Sequence, residues 1–481
     1  MFITDEMIAR CRRNRQTDSW TAQAADALVA QAAPWRAMGH EELWDLMFGP
    51  TITRAWMVYS DGFCPACRAP VPMYTWKIAG RRRWKAACPH CGEAFPKNDF
   101  AAFYETGLDE HRVFDPRRAD RSLLFNAEHA DPGDPLRQFG VDDGEGYREG
   151  GHGWRFVGAY LVYGLWQELI LKGIDALAAA YVAGGDAAYA RRCAVLLDRV
   201  ADLYPLFDFQ RQGRSYPNIE PGNGYVTVWH NACEDTRQMA LAYDMIRGAL
   251  DRDEELVRFL SAQARRYGLA NLKASGADIR RNIEDRILRD ALANPHKIVS
   301  NYPRGEITKA VLIETLGDPG WEDAVRETLD VMIERSTRVD GVTGEKGLPA
   351  YASYTIAALA QYLGMLSRRD PSFLPALIAR HPRLRETYRF HSDTWCMRQY
   401  FPNVGDGAGF AQPVVKYPGM DLGPSPGTQA SMFSFLMELY RVTGDPAYVQ
   451  VLCHANGGTT ENLPYDLFAS DPAAFRGEVQ A

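Results

Sequence analysis

Apolar residues recur at intervals of three and four along most of the chain, which is the spacing of helices that bury one face. An Ala-rich amphipathic stretch begins near Asp18 or Ser19, two residue types that commonly cap a helix. Residues 97–153 interrupt this pattern, because they are polar and rich in Gly, Asp and Pro. The helical spacing resumes at Gly153. The pattern therefore predicts an all-α dominated fold with one long, ordered excursion.

The helical array contains a repeated turn. In each copy a helix ends at Gly, an Asp follows as the cap of the next helix, and an aromatic residue comes two or three positions later. The clearest copies centre on Asp186, Asp318 and Asp445, and weaker ones lie near Asp251 and Asp370. About two helices fit between successive turns. Helical hairpins with long, irregular loops favour an incomplete (α/α) toroid with one functional mouth over an open solenoid.

Four cysteines follow a spacing typical of a zinc site. They are spaced C-x2-C-x20-C-x2-C, which matches binding by four thiolates, and they are Cys64, Cys67, Cys88 and Cys91. A short β-hairpin with its turn at Ala79-Gly80 is predicted between the pairs, and a metal would replace the core that it lacks. Two disulfides or four unrelated thiols are the alternatives. Four thiolates leave no open position, so the expected cofactor is a structural zinc ion.

These observations divide the chain into three parts. They are an N-terminal helical segment at 1–60, a zinc-ribbon-like hairpin at 61–105, and an (α/α) toroid at 106–481. We call residues 61–105 the four-cysteine segment. Its three arginines, Arg81–Arg83, favour a solvated face over a nucleic-acid site.

Charge and composition limit the partners and the compartment. The chain has 54 Lys and Arg against 61 Asp and Glu, a net charge of −7, so no nucleic-acid partner is expected. No stretch approaches the roughly eighteen apolar residues of a membrane span, and no signal peptide is visible. Five scattered cysteines are expected to be buried thiols: Cys11, Cys193, Cys233, Cys396 and Cys453. A cytoplasmic location is expected, or a periplasmic one if the N-terminus has been trimmed.

Four loops between the predicted helices concentrate aromatic residues with His, Asn and Arg, which are the side chains expected at a functional mouth. In chain order they contribute Trp154 and Arg155, then His230, Asn231 and Arg237, then His296, Asn301 and Arg304, and finally Tyr351 and Tyr354. Packing or helix capping is the alternative explanation for each of these residues.

Four motifs occur in a specific order and spacing over most of residues 60–450. They are "WKAACPHCGEAFPKNDFAAFYETGLDE", "GYREGGHGWRFVGAY", "SNYPRGEITKAVLIETLGDP" and "DGVTGEKGLPAYASY". Together they resemble the heparinase II/III-like polysaccharide lyases. The resemblance implies an incomplete (α/α) toroid followed by a β-sandwich, and cleavage of uronic-acid-containing glycans by β-elimination.

The resemblance also implies roles for individual residues. The family places an Asn/His element some fifty residues before its catalytic Tyr, and Asn301 precedes Tyr351 by 50 residues. Tyr351 is therefore expected to be the acid and base, with Asn301, His230 and Arg304 around the carboxylate. Residues expected to bind the substrate are Trp154, Arg155, Asn231, Arg237, His296, Tyr354 and His391.

Two departures from the family pattern affect these expectations. Tyr302 stands where a His is expected after Asn301. No β-sandwich is predicted after the last helical repeat, although family members often draw an active-site His from that domain. His391 is the candidate replacement.

The residue types suit this chemistry independently of the resemblance. A lyase removes the C5 proton next to a carboxylate and then expels the 4-linked oxygen. The intermediate carbanion forms only if amide, imidazole or guanidinium donors offset the carboxylate charge. A tyrosine can carry the proton if nearby cations lower its pKa from about 10.

Two other classes of function remain open from the sequence. A glycoside hydrolase on a helical toroid needs paired carboxylates, and the loop acids available are Glu234, Asp235 and Glu345. A non-catalytic protein could instead bind nucleic acid through a zinc ribbon, or bind a glycan. The leading prediction is a carbon-oxygen lyase that acts on an acidic polysaccharide or oligosaccharide.

Overall fold

The structure is a computed structural model, and it describes residues 1–59, 61–216, 219–339, 341, 347–348, 350–395, 402–405 and 427–481. Helices dominate this part of the chain, and its strands are two or three residues long. This confirms the all-α dominated class predicted from the spacing of apolar residues. Within the described ranges, no helix is both long enough and apolar enough to cross a lipid bilayer.

The first part of the chain runs from helices through short strands and back to helices. The helices are α1 (Asp5–Thr17), α2 (Ser19–Gln31), α3 (Ala33–Ala37), α4 (His40–Trp44), α5 (Phe100–Thr106), α6 (Phe156–Tyr160), α7 (Lys172–Gly184), α8 (Ala187–Leu203) and α9 (Phe209–Gln212). A π-helical stretch, Leu161–Leu171, joins α6 and α7 into one continuous helix. The strands are β1 (Arg54–Ala55), β2 (Asp61–Phe63), β3 (Pro70–Pro72), β4 (Lys77–Ile78), β5 (Ala86–Ala87), β6 (Ala94–Phe95), β7 (Tyr147–Glu149), β8 (His152–Trp154) and β9 (Gly213–Arg214).

The second part is almost entirely helical. Its helices are α10 (Trp229–Leu250), α11 (Glu254–Arg266), α12 (Gly276–Ile283), α13 (Asp290–Ala293), α14 (Arg304–Leu316), α15 (Trp321–Ser336), α16 (Ala350–Arg369), α17 (Phe373–Arg380), α18 (Arg383–Asp393), α19 (Met432–Thr443), α20 (Ala447–Ala455) and α21 (Pro472–Gln480). A π-helical stretch, Glu284–Arg289, links α12 to α13. Two short strands, β10 (Gly347–Leu348) and β11 (Val404–Gly405), pair antiparallel.

Five helices form the central succession of the fold. Helices α7, α10, α14, α16 and α19 contact one another in that order, and their apolar side chains share one large cluster. The start of the chain packs against its end, because the Asn14 amide donates to the Ala469 carbonyl at 2.8 Å and the rings of Trp20 and Tyr465 lie 5.3 Å apart. The N-terminal helices α1 and α2 therefore contact the C-terminal end of the chain.

The predicted turns are present at two of the three clearest copies. Gly185 ends α7 in the left-handed region with φ 85°, and the Asp186 carboxylate then accepts the backbone N–H of Ala188 at 2.8 Å. At the start of α20, the Asp445 carboxylate accepts the N–H of Ala447 at 3.0 Å. Asp186 and Asp445 thus satisfy backbone donors that the first turn of a helix leaves unpaired.

The prediction of a cap was wrong at Asp318. Gly317 does end α14 in the left-handed region, with φ 66°. However, α15 begins only at Trp321, after Gly320, and the Asp318 carboxylate accepts from the Arg289 guanidinium at 2.9 Å. An ion pair between distant parts of the chain has replaced the local cap.

The four-cysteine segment is made of two small antiparallel sheets, β2–β3 and β4–β5–β6. Strands β4 and β5 form the predicted hairpin, but their connection is longer than the expected two-residue turn and spans 79–85. This loop carries Trp84 into the helical body, where its ring lies 4.9 Å from Tyr104 and 5.6 Å from Tyr160. The Tyr160 hydroxyl also donates to the Gly80 carbonyl at 2.9 Å, so the hairpin is anchored at its tip.

Buried polar groups hold the predicted excursion at 97–153 in place. The Asp142 carboxylate is fully buried and accepts the backbone N–H groups of Gly144, Gly146 and Val157 at 2.8–3.2 Å. The Asn98 side chain pairs with the Asp142 backbone in both directions at 3.0 Å. These bonds fix β7 and β8 next to the start of α6.

Candidate functional site

The four cysteine sulfurs lie together at the turns of the four-cysteine segment. All four Sγ atoms are within 4.8 Å of one another, with 3.8 Å between Cys64 and Cys91 and 3.9 Å between Cys67 and Cys88. A tetrahedral zinc ion with zinc–sulfur bonds of about 2.3 Å holds its sulfurs about 3.8 Å apart. A disulfide needs about 2 Å. The sulfur positions therefore suit a four-coordinate metal ion and not two disulfides.

The two cysteine turns have the same construction. One joins β2 to β3 and the other joins β5 to β6. The N–H of Arg68 donates to the Cys64 carbonyl at 2.9 Å, and the N–H of Gly92 donates to the Cys88 carbonyl at 3.1 Å. Arg68 and Gly92 are both left-handed, with φ 59° and 79°. This matched geometry aims both cysteines of each pair at a common point.

A second group of predicted residues lies on one face of α10. His230, Glu234 and Arg237 are four and three residues apart, a spacing that stacks side chains on the same side of a helix. All three are half-buried. The helix starts at Trp229, so His230 lies in the first turn and Arg237 lies two turns deeper.

Contacts on both sides of this face fix the rotation of α10. On one side, the Cys233 thiol lies 3.1 Å from the Thr308 hydroxyl of α14. On the other, the buried Asp235 carboxylate accepts from the Trp166 indole at 2.8 Å and the Thr227 hydroxyl at 2.5 Å. Burial raises the pKa of Asp235 to about 7. The face that carries His230 is therefore held between α14 and the π-helical stretch.

Arg304 connects α10 to the start of α16. It is the first residue of α14, and its guanidinium forms an ion pair with Glu234. The same guanidinium lies over the Tyr354 ring, 5.3 Å from its centroid. The Tyr354 ring in turn meets Tyr351 edge to face at 6.0 Å. Two of the four predicted catalytic residues, Arg304 and Tyr351, thus belong to one contact network that joins three helices.

Aromatic side chains link His230, on the same face of α10 as Glu234, to the four-cysteine segment. The rings of His230 and Trp56 lie 5.9 Å apart, and the Trp56 indole donates to the Tyr74 hydroxyl at 2.7 Å. Tyr74 is 53% exposed and Tyr354 is 45% exposed. We call Tyr74, Trp56, His230, Tyr354 and Tyr351 the aromatic row.

Trp229 adds an exposed aromatic face beside the row. Its side chain is 49% exposed although it is large and apolar. Its backbone is left-handed, with φ 39°, and its N–H donates to the Asn223 carbonyl at 2.8 Å. The indole lies against Gly222, where a Cβ would overlap it. The loop before α10 is thus shaped to present Trp229 at the surface.

His230 is favoured in its neutral form. Burial lowers the pKa of His230 below its ordinary value of 6.5, and the positive charge of Arg304 lowers it further. A neutral imidazole can accept a proton at neutral pH. His230 can therefore serve as a hydrogen-bond partner or a base.

Arg237 is a cation without a counter-ion among the described residues. Its Nη1 atom is enclosed and has no hydrogen-bond partner there. Burial lowers the pKa of Arg237, and the Cys233 thiol opposes that shift. Because an enclosed guanidinium nitrogen without an acceptor costs free energy, an anion that reached Nη1 would gain a charge-assisted hydrogen bond.

Two residues from the first predicted loop have different surroundings. Trp154 is fully buried, and its indole donates to the Phe63 carbonyl at 2.7 Å. It packs beneath the four-cysteine segment with no face toward solvent, so we leave it out of the proposed site. Arg155 is half-buried, and its backbone N–H donates to the Val58 carbonyl at 3.1 Å.

The remaining predicted residues lie near α14 and on α18. The Asn301 carbonyl accepts the N–H of Arg304 at 2.8 Å, while the N-cap position of α14 is occupied by Pro303. Tyr302 packs away toward α15, with Arg335 over its ring at 4.1 Å. Asn231 is half-buried and His296 is exposed. The side chain of His391, on α18, lies outside the part that the structure describes.

Sequence reasoning missed three aromatic contributors, Trp56, Tyr74 and Trp229. Trp229 directly precedes His230 at a predicted helix start, and an exposed aromatic beside a candidate His was an available signal. Trp56 and Tyr74 gave no such signal, because their partner His230 lies more than 150 residues further along the chain.

No family model matches this chain, and neither does any curated protein or any solved structure. The resemblance to the heparinase II/III-like lyases therefore rests on the sequence motifs alone. The residues, distances and charges of the site itself must carry any assignment of function.

Proposed function

We propose that the chain is a carbon–oxygen lyase that cleaves uronic-acid-containing glycans by β-elimination. The observation that carries this proposal is the enclosed Nη1 atom of Arg237, which has no hydrogen-bond partner among the described residues. Arg237 lies on the same helix face as His230 and one turn from the Glu234–Arg304 pair that contacts Tyr354. Elimination needs a cation to offset the substrate carboxylate and a group to take the C5 proton. The sequence resemblance supports the same chemistry.

The substrate carboxylate binds to Arg237 in this proposal. A uronate carboxylate would supply the acceptor that the enclosed Nη1 lacks. Arg304 is less available, because it already pairs with Glu234. Its role is to hold Tyr354 and, through that ring, the start of α16. This refines the prediction that Arg304 itself binds the carboxylate.

Tyr351 is the proposed acid and base. Tyr351 is half-buried in the first turn of α16, whereas Tyr354 has one ring face covered by Arg304. Tyr351 starts as the phenolate and takes the C5 proton; as the C4–O bond breaks, the resulting phenol passes that proton to the leaving oxygen and returns to the phenolate. His230 is the second candidate for accepting the proton, since its lowered pKa keeps the ring neutral.

A glycoside hydrolase is less well supported. Hydrolysis needs two free carboxyl groups that flank the bond to be cleaved. Glu234 is ion-paired with Arg304, and Asp235 is buried with both Trp166 and Thr227 as donors. Glu345, the third acid considered, lies outside the described residues.

The fold and the four-cysteine segment support the site in two ways. In this proposal the succession of helices closes into an incomplete (α/α) toroid, and the aromatic row lies at its mouth. The four thiolates hold a structural zinc ion, because their spacing suits a tetrahedral ion with sulfur ligands. When bound, the ion cross-links the two cysteine turns, while Tyr74 of the same segment lines the row.

The test is a panel of polymers incubated with the purified protein. Alginate, heparan sulfate, chondroitin sulfate and hyaluronan are the acidic members, and a neutral glucan is the control. We expect a rise in ultraviolet absorbance with at least one acidic polymer, because β-elimination leaves an unsaturated uronate at each new end. New reducing ends without that absorbance would indicate a hydrolase. Binding without cleavage would indicate a glycan-binding protein.

A further inference from the structure

Three arginines gather beside the candidate site. Arg148 is exposed on β7, Arg155 directly follows β8, and Arg214 lies in β9. The Arg214 carbonyl accepts the N–H of Trp56 at 2.8 Å, and the N–H of Arg155 donates to the Val58 carbonyl at 3.1 Å, so both arginines flank residues 56–58. Arg148 pairs with Gly153 across β7 and β8, two residues before Arg155. In keeping with this placement, burial lowers the pKa of Arg155, and the charges of Arg214 and then Arg148 lower it further. Within the described ranges, none of the three forms an ion pair with a carboxylate.

The acidic groups nearby are already engaged. Glu149 forms an ion pair with Arg68 at 2.9 Å. The Glu145 carboxylate accepts from the Thr53 hydroxyl at 2.7 Å. The carboxylate oxygens of Asp142 are used by backbone N–H groups. The fold thus brings three like charges together. The nearby carboxylates of Glu145 and Asp142 offset part of the charge on Arg155, but neither forms an ion pair with any of the three arginines in the described part of the chain.

This arginine cluster adjoins one end of the aromatic row. Strand β9 pairs with β1, and the N–H of Trp56 donates to the Arg214 carbonyl at 2.8 Å. The Trp56 side chain contacts Tyr74 on one side and His230 on the other. A ligand lying along the row from Tyr351 toward Tyr74 would therefore reach the cluster.

We propose that Arg148, Arg155 and Arg214 form a second anion-binding subsite, which takes an acidic sugar some units away from the bond being cleaved. A substrate that fills both the subsite and the site must be a polymer or a long oligosaccharide, because a single disaccharide cannot reach both. This inference rests on the proposed function and adds to it. It assigns the recognition of chain length to β7, β8 and β9, while the chemistry stays on α10, α14 and α16.

The four-cysteine segment positions this subsite. Arg68 lies in the first cysteine turn and pairs with Glu149 at the end of β7. The Trp154 indole at the end of β8 donates to the Phe63 carbonyl of β2 at 2.7 Å. Two of the three arginines are therefore attached to the part of the chain that the cysteines organise.

The test measures affinity against chain length. Fluorescein-labelled uronate disaccharide, hexasaccharide and polymer are titrated into wild type and into an Arg148→Ala/Arg214→Ala double variant. We expect the variant to bind the polymer about 10- to 100-fold more weakly, with a shallower salt dependence, and the disaccharide with a much smaller loss. The matched control is Arg117→Ala/Arg118→Ala, which removes the same charge from exposed positions where each arginine has its own carboxylate partner.

The outcomes separate the subsite from the proposed function. If wild type cleaves a uronate polymer but the double variant binds all three lengths like wild type, the subsite is refuted and the lyase stands. If wild type cleaves no uronate polymer and the double variant still loses polymer affinity, the lyase is refuted and the subsite stands. Tighter binding of oligothymidylate or of a neutral glucan than of the uronate polymer would refute an acidic-glycan subsite.

Discussion

The four-cysteine segment and the helical array are stabilised by different means. The array shares one apolar cluster that runs from Phe2 to Phe475. The strands of the four-cysteine segment belong to a separate, much smaller cluster built around Trp76, Phe95 and Trp154, with two of its cysteines among the buried members. Trp84 and the helix α5 of this segment pack instead into the cluster of the array. A cluster of that size contributes little by burial alone, and a metal ion bound by the four cysteines would add a cross-link between the two turns.

This difference separates two kinds of contribution to the site. The residues proposed for chemistry, Tyr351, Arg237 and His230, all lie on helices of the array. Tyr74 and Arg148 lie on or beside the four-cysteine segment, where they would contact the rest of a polymer. Loss of the cross-link should therefore impair polymer binding before it impairs the helices.

The largest effect is expected from removing a metal ligand. Cys88→Ser should lose the bound zinc, because a structural zinc site contributes about 10 kcal/mol or more of binding free energy that depends on all its ligands. Residues 61–95 should then exchange their amide hydrogens rapidly, while the helical circular dichroism stays near wild type. Metal analysis and hydrogen exchange measure the two effects.

The control for this variant is Cys193→Ser, at a buried thiol of α8 that contacts only the array. It should keep its zinc. Slow exchange in residues 61–95 of a zinc-free protein would show that the segment is stable without a cross-link, and the contrast between the two regions would fail.

Local signals were sufficient to predict much of the fold. The 3.6-residue spacing gave the helix-dominated class, and Asp18 and Asp186 cap α2 and α8 as predicted. The cysteine spacing anticipated the cluster of four sulfurs. The helices and their caps depend on residues within a few positions of one another. The cysteine cluster depends on two Cys-x2-Cys pairs that are recognisable from their spacing.

Contacts between distant parts of the chain were not predictable in this way. Asp318 had the local sequence of a cap, yet its carboxylate pairs with Arg289 across two helices. Trp154 looked like a mouth residue, but β7 and β8 fold it beneath the four-cysteine segment. Arg237 was selected from its loop, whereas its unpaired Nη1 could be seen only once α10 had been packed.

The next largest effect is expected at Tyr351. Tyr351→Phe keeps the ring and removes the hydroxyl, so turnover should fall by about 10²- to 10⁴-fold, as for the loss of a general acid–base group. The melting temperature should change little, because the apolar volume is conserved. Initial rates on whichever acidic polymer wild type cleaves give the comparison.

Tyr354→Phe is the matched variant, one helical turn away and also in the aromatic row. It should keep most of the turnover, since its proposed contact with Arg304 is made through the ring face. A reversal of the two results would move the acid–base role to Tyr354. Full turnover in both variants would leave His230 as the candidate base.

A smaller but more diagnostic effect is expected from two arginine variants. Arg237→Met should weaken binding of a uronate oligosaccharide by about 1.5–3 kcal/mol, the range for a hydrogen bond to a charged group. It should also raise the melting temperature, because it removes a half-buried cation whose enclosed Nη1 has no hydrogen-bond partner in the described part of the chain.

Arg304→Met should act in the opposite direction on stability. It leaves Glu234 without its ion-pair partner in a half-buried position, so the melting temperature should fall. Calorimetry with the oligosaccharide and thermal melts give both quantities. If Arg237→Met bound the ligand like wild type and melted lower, Arg237 would be a structural residue and the proposed carboxylate site would be lost.

The smallest effect concerns the protonation of His230. It tests whether groups of the helical array determine the pKa of a residue proposed to take part in the reaction. Burial and the Arg304 charge hold the pKa of His230 below 6.5 in the folded protein. Below the unfolded pKa, the unfolded chain binds a proton more readily than the folded chain does. The contribution of His230 to folding stability is therefore full above about pH 6.5 and decreases as the pH falls through that value.

Arg304→Met removes the Arg304 charge and leaves the burial of His230, so the pKa of His230 should rise part of the way back to 6.5. NMR titration of the His230 ring in the two proteins measures this shift directly. The acid limb of kcat/KM should move to higher pH by the same amount if His230 takes part in the reaction. An acid limb that does not follow the NMR titration would assign the limb to another group and leave Tyr351 to carry the proton alone.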